Sequence, residues 1–584
     1  MSWTRLAIVV AAIALVWPAL FADRLSAHWL WLPLAAFVLV AVVHENVERR
    51  CRRARRASEV LRRAVDRVEG DWIGHGPDGS RFIDAEHPYA SDLDLFGPGS
   101  LFEFLCAART ADGEARLAGW LAHPADPRKV RDRQEAIAEL RDRPGLRLDL
   151  ALLGARIGST VDTRRLVQWA RSPAILRQRW PQWIAATLGI ANVATFTAWL
   201  APVFQQAVEA ARGGERIDVF AGAAPFFISL VASMAFTALH GGRVRQALHD
   251  ADRPQHDLEL LAGVLERIQR ETFDSAELRG LTEDLRVAGV VPSRAIDRLT
   301  RIVQIEESRH NAIFRALGGM VFAGTHLAYA MEHWRSRYGS AVAVWIDAVA
   351  RFEALSSLAR HAHENPADLF PTVDDGPVAL DARGLAHPLL PIETAVRNDV
   401  ALARDGTRLW VVSGSNMAGK STLLRTTGIN VALALAGAPV RATEMRLSTL
   451  QIGASMRIVD SLREGTSHLY AEIKRLHAIV ELCKESRPVL FLLDEVLHGT
   501  NSSDRRAGAA AVVRSLLQAG AIGMVTTHDL ALARIADELG DAGANVHFVD
   551  HMRDGKLAFD YTLRPGPVQK GNALELMRAT GLEV

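Results

Sequence analysis

Residues 414–422 read Gly-Ser-Asn-Met-Ala-Gly-Lys-Ser-Thr and fit the phosphate-binding loop pattern G-x-x-x-x-G-K-[S/T]. Residues 409–412 before the loop predict a buried strand, and residues 421–435 after it predict a helix. In that context the glycines let the backbone wrap a triphosphate, and loop N–H groups face the anion at the helix N-terminus. The sequence therefore predicts an α/β nucleotide-binding domain with these nucleotide-contacting residues: Gly414, Ser415, Asn416, Met417, Ala418, Gly419, Lys420, Ser421 and Thr422.

Side chains with distinct roles are expected within and after this loop. Lys420 would reach the β- and γ-phosphates, and the Ser421 hydroxyl would ligand Mg²⁺. The apolar run 489–493 precedes Asp494 and Glu495. Such a strand is buried on both faces, so its end can bring Asp494 to the Mg²⁺ shell and Glu495 to the attacking water.

A third apolar run, residues 521–525, ends in Thr-Thr-His-Asp. His528 could contact the γ-phosphate, although a lone histidine here would fit a capping or core role better. Its place in series with the phosphate loop and the Asp-Glu strand favours the functional role. Asp504 lies in a polar turn after the carboxylates, where it could cap a helix or support a subunit contact near the nucleotide.

These motifs together resemble the ATPase domain of the MutS family of DNA mismatch repair proteins, a branch of the ABC ATPases. Asn416-Met417 in the loop is a MutS-type detail, and Asp494-Glu495 followed by residues 498–504 is similar to DE-x-x-x-GT-x-x-x-D. Residues 467–472 are similar to the S-T-F-x-x-E signature. The resemblance implies an Mg²⁺-dependent ATP hydrolase with Lys420, Glu495 and His528 as catalytic residues. It also implies a homodimer in which Ser467 touches the ATP of the other subunit.

A second resemblance to the same family lies far upstream. Residues 94–147 are similar to the start of the helical MutS core, including the R-x-R-Q-x-A-(V/I) pattern at 131–137. Residues 352–359 resemble the end of the lever that leads into the ATPase domain. The two matches occur in family order, which implies an all-α core and lever joined to the ATPase.

The sequence also departs from the family. It leaves no room for the N-terminal mismatch-reading domain, and no F-x-E wedge precedes the core. The DNA-clamp subdomain is not recognisable, and the chain stops at Val584, where a dimerisation extension would follow. Ala395 replaces an aromatic near the expected adenine position. DNA, duplex or branched, is therefore an expected but open partner, and a protein partner is an alternative.

Four apolar segments suggest two membrane hairpins, at residues 6–22 and 29–43 and at residues 183–204 and 217–239. Buried core helices are the alternative, but they rarely continue for twenty residues without charge. A signal peptide is the alternative for the first pair; it is disfavoured because a second apolar segment follows at once.

Arginines flank both hairpins on one side, which predicts an inner-membrane protein with a cytoplasmic ATPase. The flanking residues are Arg49, Arg50, Arg52, Arg53, Arg55, Arg56, Arg171, Arg177, Arg179, Arg243 and Arg245. The arginine cluster could bind nucleic acid, but membrane topology and attraction to anionic lipid explain it more simply. The net charge of +1 gives no global attraction to DNA.

The predicted fold is multidomain α and α/β. It comprises hairpin 1 (1–48), an Arg-rich linker (49–80), a helical core (81–180), hairpin 2 (181–242), a lever (243–370) and the ABC-type P-loop ATPase (371–584). The favoured function is a membrane-tethered ATPase that binds DNA, either like a mismatch repair protein or as a sensor of DNA structure. The alternative is an ATP-switched membrane scaffold for a protein partner. An ABC-type transporter is disfavoured because four spans are few and no L-S-G-G-Q signature is found.

Overall fold

The structure is a computed structural model that describes residues 8, 10–13, 31–154, 164–210, 218–249, 255–286, 291–308, 317–415, 418–456, 468–497, 502–528, 530–553 and 556–568. Up to residue 364 the described elements are helical, and two β-sheets follow. The helices of the first part are α1 Trp31–Val68, α2 Leu101–Leu105, α3 Ala111–Ala122, α4 Pro127–Arg141, α5 Pro144–Gly154, α6 Arg164–Arg171, α7 Trp180–Ala210, α8 Ala224–His249, α9 Gln255–Gln269, α10 Ala276–Asp284, α11 Pro292–Ser308 and α12 Ala323–Glu364, with a 3₁₀ turn at Ser80–Phe82.

Helix α1 joins two segments that the sequence treats as different. It runs without a break from the apolar stretch after Trp31 through the arginine-rich stretch to Val68. Ion pairs one turn apart, Arg49 with Glu45 and Arg52 with Glu48, support the charged half. The first part of the expected linker is therefore helix. The expected segment 6–22 lies almost entirely outside the described residues.

Helices α7 and α8 form an antiparallel hairpin that is stabilised by polar and aromatic contacts. Asn192 donates a hydrogen bond to Ser233 across the pair at 2.9 Å, and the rings of Trp199 and Phe226 stack at 5.6 Å. Helix α8 begins at Ala224, later than the apolar run suggests, because Pro225 is favoured in a first helical turn. Three described helices are long and apolar enough to cross a membrane: Trp31–Val68, Trp180–Ala207 and Ala224–Leu248.

Helix α12 is the axis of the helical region. Its 42 residues correspond to about 63 Å at 1.5 Å per residue. At its start, the ring of Phe322 packs edge-on against Phe236 of α8 at 5.4 Å, and the Met320 carbonyl accepts a hydrogen bond from Asn192. Farther on, Trp345 and Phe352 are buried in the main core. One helix thus connects the apolar hairpin with the sheet region.

The sheet region contains ten strands and four helices in its described part. The strands are β1 Thr372–Asp374, β2 Ala379–Leu385, β3 Asn398–Ala403, β4 Leu409–Ser413, β5 Glu444–Ser448, β6 Gln451–Ser455, β7 Val489–Asp494, β8 Ile522–Thr527, β9 Gly543–Arg553 and β10 Lys556–Pro565. The helices are α13 Lys420–Ala436, α14 His468–Leu482, α15 Ser502–Gln518 and α16 Leu530–Glu538, with a 3₁₀ turn at Gly540–Ala542.

Sheet topology brings the predicted motifs together. The larger sheet has the order β10-β9-β4-β8-β7-β6, and all its neighbours except β9 and β10 are parallel. The carboxyl ends of β4, β7 and β8 therefore meet at one edge. A smaller sheet, β1-β5-β2-β3, lies beside it.

The helical core and the sheet region share a tightly packed junction. Arg133 of α4 is buried, lies 4.0 Å from the centre of the Trp120 ring, and donates a hydrogen bond to the Ala436 carbonyl at 3.2 Å. A side chain on Gly437 would meet the Arg133 Cβ at 2.8 Å, so only glycine permits this approach. Burial lowers the pKa of Arg133 to about 10.

Candidate nucleotide site

The phosphate loop connects β4 to α13, as the sequence predicts. Gly414 has a φ of 148° and Gly419 a φ of 108°, which are values that side chains disfavour. A Cβ on Gly414 would also lie 3.1 Å from the Phe548 carbonyl oxygen. The loop can therefore follow its path only with glycine at these two positions.

Lys420 is the first residue of α13 and is 4% exposed. Its Nζ donates a hydrogen bond to the Gly414 carbonyl at 2.7 Å and lies 3.1 Å from Oε1 of Glu495. Because Glu495 follows the end of β7, this lysine connects the loop after β4 with the carboxylate after β7. The two motifs that the sequence assigns to one site therefore meet.

A threonine hydroxyl binds the Asp494 carboxylate and the backbone of Glu495. Asp494 lies opposite Thr526 in the register of β7 and β8. The Thr526 hydroxyl donates a short hydrogen bond to Oδ1 of Asp494 and accepts one from the Glu495 N–H at 3.0 Å. The hydroxyl fixes the Asp494 carboxylate and the backbone that carries Glu495.

The backbone after β7 is held in an unusual conformation. Glu495 has a φ of 46° and Leu497 a φ of 60°, both in the left-handed region that non-glycine residues rarely adopt. The Leu497 N–H donates to Oε1 of the buried Glu472 on α14, which stabilises this turn. His528 lies after β8 with its Nδ1 3.5 Å from Oε1 of Glu495. Strained backbone beside clustered charged groups is typical of functional sites.

The residues present fit a bound nucleotide and its metal. Among the described atoms, the buried Ser415 Oγ within the loop has no hydrogen-bond partner, and an acceptor-rich ligand would supply one. Lys420 provides a positive charge beside it, and the hard oxygen ligands Asp494 and Ser421 suit Mg²⁺. Phosphates would bind to the loop, and Mg²⁺ to these two oxygens.

Some predicted residues can be located and others cannot. Ala418, Gly419, Ser421 and Thr422 lie at the loop end and the first turn of α13, and the exposed Asp504 lies in the first turn of α15. Asn416, Met417 and Ser467 lie outside the described residues.

Two residues near the loop escaped the sequence argument. Thr526 lies within a quoted motif, but its role depends on strand register, which a single sequence does not reveal. Tyr561 of β10 lies against the loop, since a Cβ on Gly419 would be 3.2 Å from its ring. Tyr561 is 44% exposed and has a φ of 53°. An exposed aromatic ring beside a phosphate loop can stack on a base.

Comparisons with known proteins identify sequences that are similar to this chain. The family model of MutS domain V matches residues 410–583. The chain is 28% identical over 524 residues to DNA mismatch repair protein MutS 1 of Halobacterium salinarum, which covers 83% of this chain and 58% of that protein. It is 30% identical over 322 residues to MutS 2 of the same species, covering 54% of this chain and 34% of that protein.

A bacterial relative matches about a third of this chain. DNA mismatch repair protein MutS of Thermus thermophilus is 34% identical over 214 residues, or 35% of this chain and 24% of that protein. The chain thus spans less than two thirds of the length of each of these three relatives.

Proposed function

The chain is a MutS-family protein, and from this premise we propose that it is a membrane-tethered ATPase that binds DNA under the control of ATP. Two chains would close around two ATP molecules. Each would contribute Lys420, Ser421, Asp494, Glu495 and His528 to one nucleotide, and Ser467 of the partner subunit would complete the site.

The observation that carries the proposal is the contact of Lys420 with both Gly414 and Glu495. It joins the phosphate-binding loop to the carboxylate that would act on water.

Each of these residues would have a distinct role in hydrolysis. When ATP binds, Lys420 would exchange the Glu495 oxygen for phosphate oxygens, which leaves Glu495 able to accept a proton from the attacking water. Thr526 would hold Asp494 in place, and His528 would lie beside Glu495 where the γ-phosphate is cleaved. Mg²⁺, held by Ser421 and Asp494, would neutralise the charge that develops on phosphate oxygens.

The packing supports a path from the nucleotide to the membrane. The C-terminal end of α13 packs on Arg133 of the helical core, and α12 packs on that core and on the α7–α8 hairpin. A change at the phosphate loop can therefore move elements that lie far from it. The three apolar helices support a membrane tether by their length and composition.

The names of the relatives as DNA mismatch repair proteins support DNA as the ligand. The test is ATP hydrolysis by the detergent-solubilised chain with homoduplex, mismatched duplex, four-way junction or single-stranded DNA. We expect one class to change the turnover, with binding that weakens as salt rises, because phosphate contacts release counterions. Turnover that no DNA alters would contradict DNA binding and favour a scaffold for a protein partner.

A further inference from the structure

A cavity lies in the helical region. Its volume is about 280 Å³, and its described lining residues come from α1, the segment 72–77, the residues 103–109, α5, Val264 and the last third of α12. Leu61, Trp72 and Phe352 form part of an apolar wall. The size is close to the lower end of the range for small-molecule sites.

Positive charge is in excess around this cavity. It is lined by five arginines and three glutamates: Arg63, Arg67, Arg109, Arg147 and Arg360, with Glu103, Glu353 and Glu364. Two of the glutamates have partners outside this set, whereas Glu364 faces two of the arginines, with Nε of Arg360 at 3.9 Å. Glu364 pairs with Arg67 at 2.6 Å, Glu103 accepts from the N–H groups of Gly74 and Gly99, and Glu353 accepts from the Thr110 hydroxyl.

Some buried polar atoms of the lining have no hydrogen-bond partner among the described residues. Ser356 is 9% exposed, and within the described part of the chain its Oγ has no hydrogen-bond partner. The same holds, among described atoms, for the buried Nε atom of Arg109. Burying such groups without partners is costly, so they indicate that a ligand supplies acceptors.

The positive charges of the lining arginines also repel one another. Burial lowers the pKa of Arg109, and the nearby charge of Arg63 lowers it further. Burial and then the charge of Arg67 lower the pKa of Arg360 to about 10. An anion in the cavity would relieve both effects.

We propose that this cavity binds a small organic phosphate, a phosphate monoester with an apolar body. The charged group would lie against Arg63, Arg109 and Ser356, since guanidinium groups bind phosphate through two parallel hydrogen bonds. The apolar body would lie against Leu61, Trp72 and Phe352. A bound ligand would bridge α1 and α12. The N-terminal part of α1 is apolar, and the start of α12 packs on α8.

The test is calorimetric titration of the full solubilised chain with hexyl phosphate, with the nucleotide site saturated by ADP. Inorganic phosphate and hexan-1-ol each supply only half of the chemistry. We expect saturable binding of hexyl phosphate that is at least tenfold tighter than that of inorganic phosphate, and no saturable binding of hexanol. Absence of saturable hexyl phosphate binding would overturn the proposal.

Neighbouring arginines on α1 provide a matched control. Arg63→Gln should weaken hexyl phosphate at least tenfold, whereas Arg62→Gln, at an exposed position outside the lining, should leave it unchanged. Ser356→Ala removes one buried hydroxyl without adding volume and should also weaken binding. Equal affinity in all three variants would contradict the site.

The source of the phosphate is separable in the same assay. Lysophosphatidic acid in vesicles and soluble glycerol 3-phosphate are added as competitors of hexyl phosphate. Competition by the lipid assigns the site to a membrane-derived ligand, and competition by glycerol 3-phosphate assigns it to a soluble one. Failure of both to compete would count against the phosphate-ester assignment.

Discussion

The ammonium group of Lys420 lies 3.1 Å from Oε1 of Glu495, although the two residues follow strands that are separated by β8. The pair forms because β4, β8 and β7 are parallel and end at one edge of the sheet. Since Lys420 is almost fully buried, its charge is compensated locally by Glu495. In the proposed function, nucleotide binding would reshape this pair and so link occupancy of the loop to the freedom of the Glu495 carboxylate.

Thr526→Val should impair hydrolysis while leaving nucleotide binding nearly intact. The change keeps the shape of the side chain but removes the hydroxyl that bonds Asp494 and the Glu495 N–H. A lost hydrogen bond to a charged group is worth about 1.5–3 kcal/mol, or roughly 10- to 100-fold in turnover. Steady-state turnover and ATP affinity are the measurements, with Thr372→Val at an exposed position of β1 as the control. Equal loss of affinity and turnover would contradict a positioning role for Thr526.

Local patterns predicted the parts of this site, and strand register assembled them. The loop, its strand and its helix follow from glycine spacing and apolar runs, and β7 ends at Asp494, one residue beyond the predicted run. The role of Thr526 could not be predicted, because it depends on which residue of β8 lies opposite Asp494. The left-handed φ of Glu495 is likewise imposed by tertiary contacts.

In the helical region, too, local patterns predict some features and tertiary contacts determine others. In α9 the buried residues Leu261, Val264 and Ile268 follow helical spacing, so local sequence is enough to predict this helix. The continuity of α1 across a change from apolar to charged residues was not predicted, since the change in composition resembles a boundary. The contact of Arg133 with Ala436 joins residues about 300 positions apart, and no local pattern encodes it.

Arg133→Met should destabilise the junction between the helical core and the ATPase region. The methionine fills part of the volume but loses the hydrogen bond to Ala436 and the contact with the Trp120 ring. We expect a loss of about 2–4 kcal/mol. The thermal unfolding midpoint is the measurement, and Arg131→Met, at an exposed position two residues earlier, should change it little. Equal midpoints for the two variants would show that the junction does not depend on Arg133.

Stability should fall as the pH decreases from about 6.5 toward 4. Burial lowers the pKa of His361 to about 4, and Asp368, Arg441, Glu364 and Arg360 also face it. An unfolded chain takes up the proton near pH 6.5, but the folded chain does not. The contribution of His361 to the free energy of unfolding is therefore complete above that pH, and about 2 kcal/mol of it is lost by pH 5.

The comparison that isolates this effect uses two histidines of α12. His361→Asn should flatten the fall in unfolding midpoint between pH 7 and pH 5, because the asparagine does not titrate. His333→Asn, at an exposed position, should keep the slope of the unmodified chain. A slope that is the same in both variants would exclude His361 as its source.

The membrane proposal predicts opposite sides for two positions. Phe220, between α7 and α8, is 80% exposed, and in the proposed topology the flanking arginines would place it across the membrane from the ATPase region. In intact cells a membrane-impermeant maleimide should label Phe220→Cys in a chain that also carries Cys51→Ser. The native, exposed Cys51 should react only after permeabilisation. The same accessibility for both positions would contradict the proposed topology.

We propose that Glu495, paired with Lys420, accepts the proton of the attacking water in ATP hydrolysis. The most direct measurement is steady-state hydrolysis of Mg-ATP by the purified chain and by its Glu495→Gln variant, with Glu444→Gln as an exposed control and Lys420→Ala as a non-binding reference. We predict that Glu495→Gln lowers turnover at least 100-fold while it still binds ATP, because the amide cannot accept the proton from water. Turnover of Glu495→Gln equal to that of the unmodified chain would contradict the account.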